Sequence, residues 1–286
     1  MKKEENEMTT PTVLVTGATG STGRRVVSRL VALGHTVTAA SRRAAAQDGA
    51  RAVRFDWHDT ATHGDALRDA DRAYLVPPVG DPDPAAVILP FLERARAAGV
   101  RRVVLLSSSA IPEGGPGVGR VHSELAGMFE LWAVLRPSWF MQNFTDQHLH
   151  ADSIRSHGTI LTATGDGRVA FVDADDIAAV AVHALTDETL PADDLVITGP
   201  EALSYDDVAA VMTKVMGKDV SHRPLTYDQM RDHLAAAGIP EQFAAMLAAM
   251  DRAIADGSED RVTDTVERVT GRPPRRFHAY VQSVMG

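Results

Sequence analysis

The sequence contains no cysteine. Disulfides, thiolate nucleophiles and zinc–thiolate sites are excluded at once. Lysine is nearly as scarce, absent from residue 4 through residue 213. Histidines occur without HExxH-type spacing, so no metal is expected. No apolar run approaches the ~20 residues needed to span a bilayer. The opening "MKKEENEMTT" lacks the apolar centre of a secretion signal. Residues 1–10 therefore read as a disordered tail, with Met8 a second candidate start, and the expected location is cytoplasmic. The net charge of −9 argues against a nucleic-acid surface, which wants clustered Lys and Arg. The expected partner is a small-molecule substrate, with no nucleic acid and no membrane, for a monomer or homodimer.

What remains is an ordinary globular composition, 44% hydrophobic and 23% charged over 286 residues, long enough for one large domain with a small lobe. Strands are predicted over Thr12–Thr16, Thr36–Ala40, Ala52–Phe55, Arg72–Val76, Val103–Ser107 and Leu131–Arg136. Helical patterns fall between them, near 21–33, 62–69, 84–98 and 120–129. This alternation predicts an α/β fold with a doubly wound parallel sheet. Gly34 and Gly99 suit left-handed helix caps. After Pro137 the rhythm changes: "GTILTATGDGRVAFVDADDIAAVAVHAL" reads as strand, glycine-rich turn, strand, and a helix from about Asp173. "LVITG" (195–199) adds a strand, and 204–285 reads as mostly helical. The expected division is a cofactor core over 11–145 and a substrate lobe over 146–286 that crosses back to the core, as a single integrated unit.

"TGATGSTG" (16–23) lies between the first strand and the first helix, with Gly17, Gly20 and Gly23 three residues apart. A helix N-terminus offers unpaired N–H groups and partial positive charge. Gly17 would make the turn, Gly20 admit a pyrophosphate and Gly23 pack helix on strand, as in Rossmann-type sheets. Thr19, Ser21 and Thr22 belong to the same turn, and the two following Gly20 add hydroxyls. No Gly-Lys-Ser/Thr follows, so a Walker A loop is excluded. An unphosphorylated ribose usually calls for Asp or Glu at the end of the second strand, ~20 residues on. That end is Ala39-Ala40-Ser41-Arg42-Arg43. A carboxylate would repel a 2′-phosphate and a guanidinium would bind it. The expected cofactor is NADP(H), held by Arg42 and Ser41 with Arg43 in support. Asp56 and Trp57 end the third strand, either bordering the adenine or serving as a loop acid and a core aromatic. Val76, Pro77 and Pro78 follow the fourth strand and would wall the nicotinamide ribose.

The stretches "TGATGSTG", "FDWHD" (55–59), "AYLVPPV" (73–79), "AGVRRVVLLSSS" (98–109), "GGPGVGRVH" (114–122) and "AVLRPSWFMQNF" (133–144) resemble the short-chain dehydrogenase/reductase superfamily in its atypical, NmrA-like branch. The closer resemblance is to bacterial relatives of fungal ergot-alkaloid reductases. Orthodox members use a Tyr-x-x-x-Lys pair as proton donor. Here tyrosines 74, 205, 227 and 280 are followed four residues on by Pro78, Ala209, Arg231 and Val284, so the pair is missing. Hydride transfer to a ketone makes an alkoxide that must be protonated, whereas a cationic iminium becomes a neutral amine. Loss of the pair thus favours acceptors that are already electrophilic.

If a donor is needed, His122 stands near the family's lost lysine and has the right pKa range; it also reads as a helix-surface histidine. Ser107, Ser108 and Ser109, at the end of the fifth strand, are expected beside substrate and nicotinamide, with Ser108 in a catalytic role. Trp139, Phe140, Asn143 and Phe144 could line a planar-substrate pocket, or pack as core. The leading expectation is NADPH-dependent reduction of an iminium or imine in a small, largely apolar cyclic substrate. A quinone or azo reductase and a catalytically silent NADP(H) sensor of the NmrA-like type are the alternatives.

Overall fold

The computed structural model describes residues 11–189 and 193–286; the expected tail over 1–10 lies outside the described residues. The chain runs β1 (Thr12–Val15), α1 (Gly23–Ala32), β2 (Thr36–Ser41), β3 (Arg51–Arg54), α2 (His63–Leu67), β4 (Arg72–Leu75), α3 (Ala85–Ala97), β5 (Arg102–Leu106), α4 (Val118–Met128) and β6 (Leu131–Pro137). It continues through α5 (Leu149–His157), β7 (Thr159–Thr162), β8 (Arg168–Val169), α6 (Ala174–Thr186), β9 (Asp193–Ile197), β10 (Leu203–Ser204), α7 (Tyr205–Met216) and β11 (Ser221–Pro224). Four helices finish it: α8 (Tyr227–Ala236), α9 (Glu241–Ala255), α10 (Thr265–Thr270) and α11 (Phe277–Met285).

Seven strands form one parallel sheet in the order β3-β2-β1-β4-β5-β6-β9. Alternate residues of β1 serve opposite faces. Val13 and Val15 pack with α1 and α6, and Leu14 with α2, α3 and α4. A strand covered on both sides reads as a continuous apolar run, as Val13-Leu14-Val15 does. Chain order reverses between β1 and β4, which opens a crevice at the C-terminal ends of these strands. At the opposite end Arg72 and Arg102 reach the last carbonyls of α6, Arg102 Nη1 lying 3.2 Å from the Ala184 oxygen. Cations there match the negative end of the helix dipole.

The second half is more interleaved than the expected division. α6 and α10 pack on the sheet unit, and β9 is its seventh strand. The lobe is built from what remains: α5, α7, α8, α9, α11 and two small strand pairs. β7 and β8 do not pair with each other; β7 runs parallel to β11, and β8 antiparallel to β10. Its helices start where their local sequence says they should. Ser204 and Asp207 close a capping box on α7, and Thr226 and Gln229 one on α8. A cluster of Phe144, Phe171, Tyr205 and Phe277 holds the lobe core. Asp173 caps α6, while Asp176 holds the Arg275 backbone N–H (2.7 Å) and Arg272 (2.9 Å), which ties the C-terminal segment to the sheet.

Candidate active site

The three glycines of the β1–α1 turn have three distinct jobs. Gly17 sits at φ +59°, and a Cβ there would lie 2.9 Å from the Val76 Cβ. A Cβ on Gly23 would lie 2.2 Å from the Gly17 oxygen, so helix and turn touch through missing side chains. Gly20 is exposed, and its Cβ would meet only the Gly17 oxygen, at 3.2 Å; the space beyond is open. Thr19, also exposed, forms the tip of the turn. Ser21 Oγ is buried with no protein partner, which leaves a hydroxyl beside the helix N-terminus for a ligand. Thr22 is not available in the same way, because Tyr74 Oη donates to its hydroxyl at 3.1 Å. An open backbone and an orphaned hydroxyl at a helix start fit a pyrophosphate.

At the end of β2, Ser41 is buried and its Oγ accepts from the Ala45 N–H at 3.3 Å. Arg42 and Arg43 are exposed, and neither pairs with a carboxylate among the described residues. Gln47 donates to the Ala18 oxygen at 3.0 Å, folding this loop back over the glycine turn. Asp56 caps its own turn by accepting from the His58 N–H at 3.0 Å. Trp57 corrects the adenine-border expectation. Its ring packs edge-on against Phe55 and Phe91 in the core, and its indole N–H donates to the Val76 oxygen at 3.0 Å. Val76 is further held by its own N–H, which donates to Thr16 Oγ1 at 2.8 Å. Trp57 therefore positions the start of the half-buried Val76-Pro77-Pro78 segment and does not offer a ring face.

Beyond the strand ends lies a cavity of about 780 Å³. Ser107 and Ser108 line it from β5, and Trp139, Phe140 and Asn143 from the segment after β6. Met230, Leu234, Ile239, Phe243, Leu247 and Met250, from α8, α9 and their connection, form the facing wall. Ser107 Oγ is buried and unpartnered; Ser108 Oγ accepts from the Ala110 N–H at 3.3 Å.

Three expected site residues are elsewhere. Ser109 is buried and donates to Glu259 Oε2 at 2.7 Å, so it anchors a C-terminal loop and does not line the cavity. Phe144 is fully buried in the lobe's aromatic cluster, beneath the cavity wall. His122 is neither on the helix surface nor on the cavity. It is 2% exposed, edge-on to Trp132, with both ring nitrogens unpartnered. The reason is helical spacing: His122 shares with Val118, Val121 and Leu125 the face of α4 that packs inward.

No tyrosine lines the cavity either. Burial pushes the Tyr74 and Tyr205 hydroxyls far above the usual phenol range. Tyr227 donates to the Ala245 oxygen, and Tyr280 is engaged with Thr145.

The titratable groups that do line the cavity were not foreseen from the sequence. They are His148, His150 and Asp152 around α5, His233 on α8 and Asp251 on α9. Burial pulls His150 down to about 3, helped by the neighbouring His148, His222 and His233, so its imidazole is neutral. Burial pushes Asp251 up to about 6, against the opposing hydrogen bond that its Oδ2 accepts from the Ala163 N–H at 2.8 Å. A signal for Asp251 was present. It interrupts the inward-facing series Ala244, Ala248 and Ile254 of α9 with a carboxylate.

Comparison with known proteins follows the same outline. A model of NAD(P)H-binding domains matches residues 17–188, and the NmrA-like family model matches residues 129–278. The uncharacterized oxidoreductase YesF of Bacillus subtilis is 44% identical over 268 residues, spanning 94% of this chain and 93% of its own. Festuclavine synthase II of Penicillium roqueforti is 39% identical, spanning 93% of this chain and 96% of its own. In fold, the chain is similar to an NADPH-dependent quinone oxidoreductase of Escherichia coli complexed with NADPH, with TM-score 0.81 and 24% identity, covering 96% of this chain and 100% of that one. These relatives align over nearly their whole length and carry the names of enzymes, which favours an enzyme over a silent sensor. The chain belongs to the NmrA-like branch of atypical short-chain dehydrogenase/reductases, of the ergot-alkaloid reductase type, and is an NAD(P)H-dependent reductase.

Proposed function

We propose that the protein is an NADPH-dependent reductase of activated C=N bonds, acting on iminium or imine groups in small, largely apolar cyclic molecules. The observation that carries this reading is the composition of the cavity: a large, mostly apolar chamber at the sheet's C-terminal edge, lined by Ser107 and Ser108 at the end of β5 and by no tyrosine or lysine.

Bound NADPH would supply the hydride. The chain's part is to hold the cofactor, orient the acceptor and exclude water. Gly20 and Ser21 would receive the pyrophosphate, and Arg42 and Arg43 the 2′-phosphate, with Ser41 shaping their loop. The preference for the phosphorylated cofactor rests on two exposed guanidinium groups, without a carboxylate partner among the described residues, where a carboxylate would otherwise stand. Ser107 Oγ, buried without a partner, is a free hydrogen-bonding group at the nicotinamide side. Trp139 and Phe140 would stack on a planar ring while the α8–α9 wall keeps water out.

Proton supply decides the acceptor. Reduction of a ketone generates a strong base, and general acid catalysis is worth ~10²–10⁴-fold in such steps. With His122 in the core and no tyrosine or lysine on the cavity, the site lacks the family's usual donor, and an acceptor that is already cationic, an iminium or a protonated imine, suits it best because hydride transfer leaves a neutral amine. The kinship to proteins named festuclavine synthase supports the same reading. The test is NADPH consumption with matched cyclic iminium, quinone and ketone acceptors. Fastest turnover of the iminium is expected; a quinone turned over fastest would favour the alternative reductase.

A further inference from the structure

We propose that Asp251 is the counter-ion of the substrate cavity, the residue that selects positively charged substrates. The proposal rests on the iminium-reductase reading and deepens it by assigning charge recognition to one carboxylate.

Asp251 lies on α9 with its side chain 8% exposed, on the wall of a chamber whose neighbouring residues are Leu247, Met250, Met230 and Leu234. One oxygen is fixed by the Ala163 N–H. Among the described residues no Arg, Lys or His forms an ion pair with it, and no Arg or Lys lines the cavity. A buried carboxylate without a cation is expensive, so a protein that retains one presents a site for a cation from outside. The other cavity acid, Asp152, does not meet this description: it is 65% exposed and already bonded to Arg155.

Four histidines and one tyrosine stand on the elements around Asp251. His150 and His148 line the cavity from the α5 region, and burial lowers both, which disfavours their charged forms. His233 lines the same cavity from α8, and Tyr205, on α7, is near enough for the Asp251 charge to help raise its hydroxyl. His222, on β11, is bound to Thr162 Oγ1 at 2.8 Å, one residue from the Ala163 amide. With the chamber empty, Asp251 holds its proton up to about pH 6. An arriving cation stabilises the carboxylate and displaces that proton; a neutral ligand does not.

The test is binding to the full chain without added cofactor, followed by tryptophan fluorescence, since Trp139 lines the cavity. The probes are N-methylisoquinolinium, a permanent cation, and 2-methylnaphthalene, its uncharged isostere. At pH ~8 the wild type should bind the cation about tenfold or more tightly than the isostere, and Asp251→Asn should erase that preference by weakening the cation alone. Asp251→Glu should retain a preference for the cation, which separates charge from packing. Lowering the pH towards ~5 should weaken the cation more in the wild type than in Asp251→Asn. Equal losses for both probes, or undiminished cation affinity in Asp251→Asn, would overturn the proposal. If the wild type shows the predicted preference yet consumes no NADPH with any iminium, the reductase reading fails and the counter-ion stands. Should Asp251→Asn keep its cation affinity but lose turnover of neutral imines, Asp251 is a proton donor and the counter-ion assignment is wrong.

Discussion

The glycine turn and the apolar cavity occupy the same edge of the central sheet and are built by opposite routes. The turn is made of contiguous residues, 16 to 23, whose conformation follows from local sterics: a positive φ at Gly17 and two positions where a Cβ has little room or must be absent. The cavity is assembled from Val79, the β5 and β6 ends, α5, β7, α8 and α9. Its lining residues run from Val79 to Asp251, well over half the chain, and each sits on an element whose own sequence explains only its local fold. A site of the first kind tolerates no side chain at its critical position. A site of the second kind tolerates change at most positions and depends on a few polar groups held against an apolar background.

The largest effect is expected from Gly20→Val. The added Cβ would meet only the Gly17 oxygen at 3.2 Å, so the variant should fold, while its branches fill the space the pyrophosphate needs. NADPH affinity should drop by at least ~100-fold, read by calorimetry, with thermal unfolding close to wild type. Tight NADPH binding by the folded variant would show that the turn holds something else.

Local determination also explains what could be read in advance. Six core strands and four helices fall within a residue or two of their sequence-predicted ranges, because apolar runs and glycine caps such as Gly34 and Gly99 act over a few residues. The roles of Gly17, Gly20 and Gly23 are legible for the same reason. His122, Phe144 and Ser109 are not, because their destinations depend on which helix face packs inward and on a partner 150 residues away for Ser109. Asp251 was missed since a lone acid in a helical apolar series has meaning only once α8, α5 and β7 are seen around it. Likewise, that β7 pairs with β11 and not β8 is decided by tertiary contacts that no hairpin signal encodes.

The cavity's polar group should trade stability for function. In the folded chain Asp251 titrates near 6. Between the ordinary carboxylate value and that point the native protein retains a proton that the unfolded chain has released, so this group lowers stability progressively as pH rises through the window. His150 acts oppositely: its depressed value makes stability rise with pH up to the ordinary imidazole range. Asp251→Asn keeps the acceptor for the Ala163 N–H and removes only the first contribution. The variant should gain about 1–3 kcal/mol over wild type at neutral pH, with the gain fading as pH falls towards ~4. Denaturant melts across that range measure it; a gain independent of pH would mean that packing, not charge, sets the effect.

A smaller effect is expected at the exposed rim of the cofactor site. Arg42→Ala removes one of two adjacent guanidinium groups, and NADPH affinity should fall by about tenfold, while NADH affinity stays within about twofold. Parallel titrations with the two cofactors decide it. Equal losses would assign Arg42 to the shape of the loop over the glycine turn.

A site without the family's tyrosine donor should favour acceptors which need no proton from the protein. The most direct test of this preference is the single-turnover rate of NADPH oxidation, by stopped-flow, with N-methyl-3,4-dihydroisoquinolinium and with 1-tetralone, a cyclic ketone of the same bicyclic shape. The iminium should be reduced at least ~100-fold faster than the ketone, at a rate nearly independent of pH once binding is saturated. Ketone reduction as fast as iminium reduction, or faster, would contradict it.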